Sequence, residues 1–105
     1  MATFIMLTRL SHQALQSPIS LEDLSQEVME HIREDCPEVE WQQSYVVLGP
    51  ADYLDIFKAP DIEAAMKVAA VIRTFGHATT EIWGATEWDT FTKLIRERRP
   101  PRQLP

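Results

Sequence analysis

Two carboxylates and one histidine are the residues of this sequence best suited to acid–base chemistry. Asp55 and Glu81 lie in short segments rich in aromatic and β-branched residues, and His77 precedes Glu81 by four positions. Side chains four apart in a strand share a face, and we assign Asp55 to that face as well. A carboxylate among apolar side chains either finds a donor or a cation or protonates, which makes it a proton-transfer candidate. One hypothesis makes Glu81 the catalytic acid or base, oriented by His77 or Asp55.

Aromatic residues near these carboxylates predict an apolar cavity for a small apolar or aromatic ligand. The residues expected to contact that ligand are four aromatic side chains and one turn carboxylate: Tyr45, Tyr53, Phe57, Trp83 and Asp52. A competing hypothesis is structural. In it, tyrosine hydroxyls, Lys58 or an arginine of a partner chain satisfy Asp55 and Glu81, which then fix the register of a dimer.

Motifs for metals, nucleotides and covalent chemistry are missing from the sequence. Its three histidines and one cysteine show no metal-ligand spacing, and its three glycines do not cluster into a phosphate loop. Cys36 follows a predicted helix, and the C-terminal end of a helix disfavours a thiolate. We therefore expect no metal, no cofactor and no catalytic thiol.

Composition predicts one soluble domain. The chain has 105 residues, of which 45% are hydrophobic and 25% charged, and no segment approaches the roughly 18 apolar residues of a membrane span. The net charge of −6 disfavours nucleic acid as a partner. With a single cysteine no intrachain disulfide is possible, so a cytoplasmic location is expected. The domain is assigned to residues 1–98, and 99–105 form an Arg/Pro-rich tail.

Hydrophobic periodicity predicts the order βαββαβ followed by a short helix. Strands are expected at 2–8, 39–48, 53–58 and 78–83. Ser20 opens a capping-box pattern for the first helix, Asp61 caps the second, and Thr86 opens a similar pattern for the third. This order is typical of a ferredoxin-like α+β fold, in which a four-stranded antiparallel sheet carries two helices on one face.

Strand parity then assigns side chains to the two faces of the sheet. We expect one set to meet the helices: Ile5, Leu7, Leu54, Ile56, Ala78, Thr80 and Ile82. The other set would be left uncovered: Phe4, Met6, Tyr53, Asp55, Phe57, His77, Thr79, Glu81 and Trp83. An uncovered face so rich in aromatic residues predicts a homodimer that packs sheet against sheet.

The hairpin segment carries a family resemblance. Two β-rich stretches are joined by Gly49-Pro50-Ala51-Asp52, and the pattern continues through Ala59-Pro60-Asp61 to the strand ending at Trp83. On these residues the chain resembles the GYD domain family over about 44–88. The family commonly has a tyrosine where this chain has Ala51. The resemblance implies a dimeric α+β barrel and does not imply a reaction.

Two functions therefore remain open. The first is a homodimeric small-molecule-binding or assembly module without turnover. The second is a cofactor-independent enzyme of proton transfer, lyase or oxygenase type. It would use Glu81, His77 and Asp55 in a cavity between sheet and helices.

Overall fold

The structure, a computed structural model, describes residues 1–12, 18–75 and 78–97. Four strands and three helices follow one another in the expected order: β1 Ala2–Leu10, α1 Pro18–Asp35, β2 Glu40–Val46, β3 Tyr53–Ala59, α2 Ile62–Phe75, β4 Ala78–Ala85 and α3 Trp88–Glu97. α1 begins two residues before Ser20, at Pro18, whose fixed φ suits a first helical turn. The predicted tail at 99–105 lies outside the described residues.

The sheet has the strand order β2-β3-β1-β4, and all three pairings are antiparallel. The core lies between this sheet and the pair α1 and α2. The prediction of a ferredoxin-like α+β fold is thereby confirmed. Within the described ranges no helix is both long and apolar enough to cross a membrane.

The face assignment made from the sequence is wrong for β1 and β3. Phe4 and Met6 are buried under the helices, and they pair with Phe57 and Asp55. Paired residues of neighbouring strands share a face, so Asp55 and Phe57 also face the helices. The residues expected there take the opposite face instead: Ile5, Leu7, Leu54 and Ile56.

Ring packing explains this reversal. Phe57 is fully buried and stacks on Phe4 and on Trp41, with ring centroids 5.7 Å and 5.3 Å apart. Three large rings fill the space beneath two helices better than the aliphatic side chains of the other parity. Because both parities of β1 and β3 are apolar, alternation alone does not decide between them.

The assignment for β4 is confirmed. Ala78, Thr80 and Ile82 pair with helix-facing residues of β1, whereas Glu81 and Trp83 pair with Leu7 and Ile5 on the other side. We call that other side, which neither α1 nor α2 covers, the open face.

α2 packs closely on the sheet because one of its faces is built from small side chains. Ala64, Ala65 and Val68 are buried on that face. The expected cap is confirmed, since the Ala64 amide donates to Asp61 Oδ1 over 2.8 Å. α1 joins α2 through the ring of His31, which stacks on Phe75 at a centroid distance of 3.7 Å.

The hairpin between β2 and β3 is held by contacts that are distant in sequence. The Leu10 amide donates to Asp52 Oδ2, and the Asp52 amide donates to the Thr8 carbonyl, both over 2.8 Å. Arg9 Nε donates to the Pro50 carbonyl over 2.7 Å. Gly49 has a φ of 144°, which favours glycine. The turn is therefore fixed to the end of β1.

α3 has a strongly one-sided distribution of apolar residues, yet none of its residues is buried. Its apolar stripe consists of Trp88, Phe91, Leu94 and Ile95, all exposed. Trp88 and Phe91 contact only each other among the ring pairs of the described chain.

Candidate functional site

An apolar cavity of about 230 Å³ lies between α1 and the helix-facing side of the sheet. α1 supplies an aliphatic wall of Leu24, Val28, Met29 and Ile32. Thr8 and Leu10 of β1, together with Tyr53 and Asp55 of β3, line the side formed by the sheet. The cavity thus combines many apolar contacts with a few polar groups, as small-molecule sites do.

A β-bulge gives Asp55 its polar neighbours. Trp41 pairs with Phe57 and Gln43 with Ile56, so the register shifts by one residue between them. Without the shift, Trp41 and Ser44 would face opposite sides, because they are three residues apart. With it, both lie on the helix-facing side, and Trp41 Nε1 donates to Ser44 Oγ over 2.8 Å. Ser44 pairs directly with Asp55.

Asp55 is the carboxyl group of the cavity, and burial raises its pKa above the usual aspartate value. Side-chain hydrogen bonds from Ser44 and Trp41 lower the pKa and offset part of this effect. Burial has the larger influence, so the neutral form of Asp55 is favoured relative to an aspartate in water. A carboxyl tuned upward in this way can exchange a proton with a bound molecule.

Two buried hydroxyl groups, those of Thr8 and Thr80, lie on the same face of the sheet as this carboxyl. Thr8 lines the cavity and pairs across the sheet with Thr80. Neither hydroxyl oxygen has a hydrogen-bond partner within the described part of the chain. Buried hydroxyls are normally paired, so each of these is an unmet hydrogen-bonding group.

The structure brings Asp55 and Tyr53 to the cavity, and both lie on the helix-facing side of the sheet. Tyr45 borders the cavity as well, but it pairs with Leu54, so strand parity turns its half-exposed side chain toward the open face. Phe57 lies instead in the stacked aromatic core and is fully buried. Asp52 accepts the Leu10 amide at the hairpin, where it holds the turn.

Glu81 and Trp83 do not join them. Both are exposed on the open face, on the opposite side of the sheet from Asp55. The expectation that Glu81 shares a cavity with Asp55 is therefore wrong, because β3 has the parity opposite to the one assigned. His77, the third member of that group, lies outside the described residues.

Metal and thiol chemistry find no support in the described geometry. In residues 1–12, 18–75 and 78–97, no group of three or more His, Cys, Asp or Glu side chains is arranged to hold a metal ion. Cys36 is buried, and burial raises the pKa of its thiol. Lys67 lowers that pKa, while Glu38 and Asp35 raise it further. A thiolate is thus disfavoured at Cys36.

Sequence reasoning missed Thr8, Trp41 and Ser44 as residues of the cavity. A strand pattern read with unbroken alternation puts Trp41 and Ser44 on opposite faces, and only the bulge unites them. One feature of the sequence could have indicated the bulge: three polar residues, Gln42, Gln43 and Ser44, follow one another in β2 and interrupt the expected alternation.

Comparison with known families adds one result. The family model of the GYD domain matches residues 4–95. The chain belongs to the GYD domain family. The matched residues of this GYD domain include the strands, α1 and α2 that form the cavity. A search of curated proteins found no match.

The raised pKa of Asp55 predicts a specific pH dependence of folding stability. The folded chain holds the Asp55 proton more tightly than the unfolded chain does. The stability that this tighter proton binding contributes is therefore fully present below the ordinary aspartate pKa of about 4. It is lost as pH rises through the raised pKa of Asp55 in the folded chain. The Asp55→Asn variant should consequently gain stability relative to the wild type between about pH 3.5 and pH 7. Urea unfolding across this range measures the difference.

Glu81→Gln is the matched control, because it removes an exposed carboxyl from the opposite face. Equal pH dependence of the wild type and Asp55→Asn would contradict the burial of a titrating carboxyl.

Proposed function

We propose that this GYD domain is a homodimeric module that binds small apolar molecules beneath α1. The observation that carries this proposal is the apolar cavity with one carboxyl, Asp55, among its lining residues. Folded cores are normally close-packed, with few voids larger than a water molecule. A space of this size at a core edge is therefore better suited to an occupant than to core packing.

The volume indicates the size of that occupant. A cavity of about 150 Å³ lined by aliphatic and aromatic side chains is enough to bind benzene. The cavity here measures about 230 Å³, so it suits a molecule with one ring and one or two substituents. Pockets for drug-sized ligands begin at about 300 Å³, which favours a smaller molecule. Exposed lining residues, Ser25 on α1 and Val46 on β2, leave an entrance between these elements.

Homodimerisation is proposed from the open face. This face carries four half-buried aliphatic side chains in its centre, Ile5, Leu7, Leu54 and Ile56. Trp83 adds a large exposed ring, 51% accessible. An uncovered apolar patch of this kind is typical of an interface.

Charge favours a second copy as the partner of that face. Strand parity places two cations, Arg9 and Lys58, and two anions, Glu40 and Glu81, on the open face. The face is thus balanced in charge, although the chain as a whole carries −6. Under two-fold symmetry such a surface can oppose its own cations and anions.

Interface area suggests that α3 contributes as well. Four strands of about seven residues form a face of roughly 20 Å by 23 Å. A stable dimer buries about 800 Å² on each partner, more than this face offers by itself. The exposed stripe of α3 directly follows β4 and would supply further apolar area. A ten-residue helix is also too short to be stable without such packing.

The proposed setting is a cytoplasm without nucleic acid as a partner. Cys36, the single cysteine, is buried and can form no intrachain disulfide. The net charge of −6 opposes contact with phosphate backbones.

A second candidate function is proton-transfer catalysis, and the raised pKa of Asp55 favours it. A carboxyl in an apolar cavity can remove a proton next to a ligand carbonyl and return it at the same position. This candidate keeps the enzyme hypothesis but assigns the role to Asp55 rather than to Glu81.

Toluene tests the cavity as a binding site. We expect toluene to shift amide resonances of Leu24, Trp41 and Ile72 in two-dimensional NMR spectra, with a Kd on the order of 0.1–1 mM. The Val28→Trp variant fills the cavity and should reduce these shifts to less than half. Met66→Trp places the same ring on an exposed position of α2 and is the control. Shifts that persist in Val28→Trp would show that toluene binds elsewhere.

Sedimentation equilibrium tests the dimer. The wild type is expected at twice the chain mass at micromolar concentration. Trp83→Glu replaces the large exposed ring of the open face with a charge and should weaken association at least about 100-fold, as changes at an aromatic interface anchor can. Met66→Glu, on the outer surface of α2, should not change it. A wild-type protein that stays monomeric at all concentrations would refute the dimer.

Hydrogen exchange at the methyl group of acetophenone in D₂O tests the catalytic candidate. If Asp55 moves protons, the wild type should accelerate exchange at least about tenfold over Asp55→Asn. Glu81→Gln, with the carboxyl on the open face removed, should exchange at the wild-type rate. Equal rates for the wild type and Asp55→Asn would eliminate catalysis by Asp55 and leave the binding module.

A further inference from the structure

We propose that the cavity beneath α1 selects neutral one-ring molecules that carry a hydroxyl group, and that Thr8 and Asp55 together recognise this hydroxyl. The inference rests on the proposed binding function and adds the class of ligand. Phenols and benzylic alcohols are members of that class.

The buried hydroxyl of Thr8 is the first observation. Thr8 is only 3% exposed, it lines the cavity, and its Oγ1 has no hydrogen-bond partner among the described residues. Its cross-strand neighbour Thr80 has an unmet hydroxyl as well and so does not serve as its partner. A threonine hydroxyl can donate one hydrogen bond and accept others. A polar ligand group beside Thr8 would supply the hydrogen-bond partner that the protein does not provide.

The position of Asp55 is the second observation. Thr8 pairs with Tyr53, and Asp55 pairs with Met6, so Thr8 and Asp55 are diagonal neighbours on the same face. The backbones of two residues in this diagonal relation lie about 7–8 Å apart, and their side chains point the same way. One ligand oxygen between them is within reach of both side chains.

A hydroxyl fits this pair better than other polar groups do. It can accept a hydrogen bond from Thr8 and donate one to the carboxylate of Asp55. When Asp55 is neutral the directions reverse, and the ligand oxygen accepts from the carboxylic acid and donates to Thr8. A ketone can only accept, so it loses the bond to Asp55 whenever Asp55 is ionised.

The walls of the cavity favour a neutral ligand. Leu24, Val28, Met29 and Ile32 offer no partner to a charge. An anion would be repelled by the carboxylate of Asp55. A cation would lose its hydration to an aliphatic wall and meet a carboxyl whose neutral form burial already favours.

Titrations with p-cresol, toluene and benzylamine test the inference on the full chain by two-dimensional NMR. The three probes have similar size: p-cresol adds a ring hydroxyl to toluene, and benzylamine adds an amino group, charged at neutral pH, to the methyl carbon of toluene. We expect p-cresol to bind about tenfold more tightly than toluene, as one additional net hydrogen bond allows. Benzylamine should bind more weakly than p-cresol.

Thr8→Val removes the hydroxyl and keeps the shape of the side chain. The preference for p-cresol should fall to less than about threefold, while the Kd for toluene stays within about twofold of the wild-type value. The urea midpoint of the free variant should rise, because an unpaired buried hydroxyl is gone. Thr3→Val makes the same change on the open face of β1 and should keep the preference.

The outcomes separate the two proposals. If toluene and p-cresol bind equally well, or if Thr8→Val keeps the preference, the hydroxyl selection is refuted while the binding function stands. Tighter binding of benzylamine than of p-cresol would also refute it, since the site would then select a cation. If none of the probes binds, both the selection and the proposed binding function fail.

Discussion

Strand parity is the constraint on which the rest of this structure depends. The rings of Phe4, Trp41 and Phe57 form one stacked row beneath the helices. Alternate residues of a strand share a face, so burying Phe57 also turns Asp55 toward α1, and burying Phe4 does the same to Thr8. The packing that builds the core therefore brings a carboxyl and a hydroxyl under α1. Neither group can be turned to the open face without also turning the stacked aromatic rings away from the helices.

These polar groups make the region beneath α1 less stable than an apolar core would be. An unpaired buried hydroxyl such as that of Thr8 costs about 1–3 kcal/mol, and burial also opposes the ionised form of Asp55. The bulge in β2 offsets part of the cost of ionising Asp55, because it places Trp41 and Ser44 where their side chains can hydrogen-bond to the carboxylate. Proteins break packing rules mainly at functional sites, so the location of this cost supports a binding role for the cavity.

The sequence was sufficient to predict the elements and their order, and insufficient to predict which faces of β1 and β3 meet the helices. Local signals in the sequence predicted the cap at Asp61, the alanine face of α2 and the turn at Gly49. The structure confirms all three. The parity of β1 and β3 is decided by which rings fill the space under two helices, and that is a property of the packed whole. Glu81 was grouped with Asp55 for this reason, and Ser44 was missed because a bulge breaks the alternation.

The two sides of the sheet are joined through the end of β1. Thr8 faces the cavity, its neighbour Arg9 faces the other side, and both are bound to the same hairpin: the Thr8 carbonyl accepts from Asp52, and Arg9 donates to Pro50. A second copy packed on the open face would restrain Arg9 and, with it, the hairpin. Because Asp52 immediately precedes Tyr53 on the cavity side, that restraint would extend to the floor of the cavity. Assembly and ligand binding, as proposed here, therefore share one structural support.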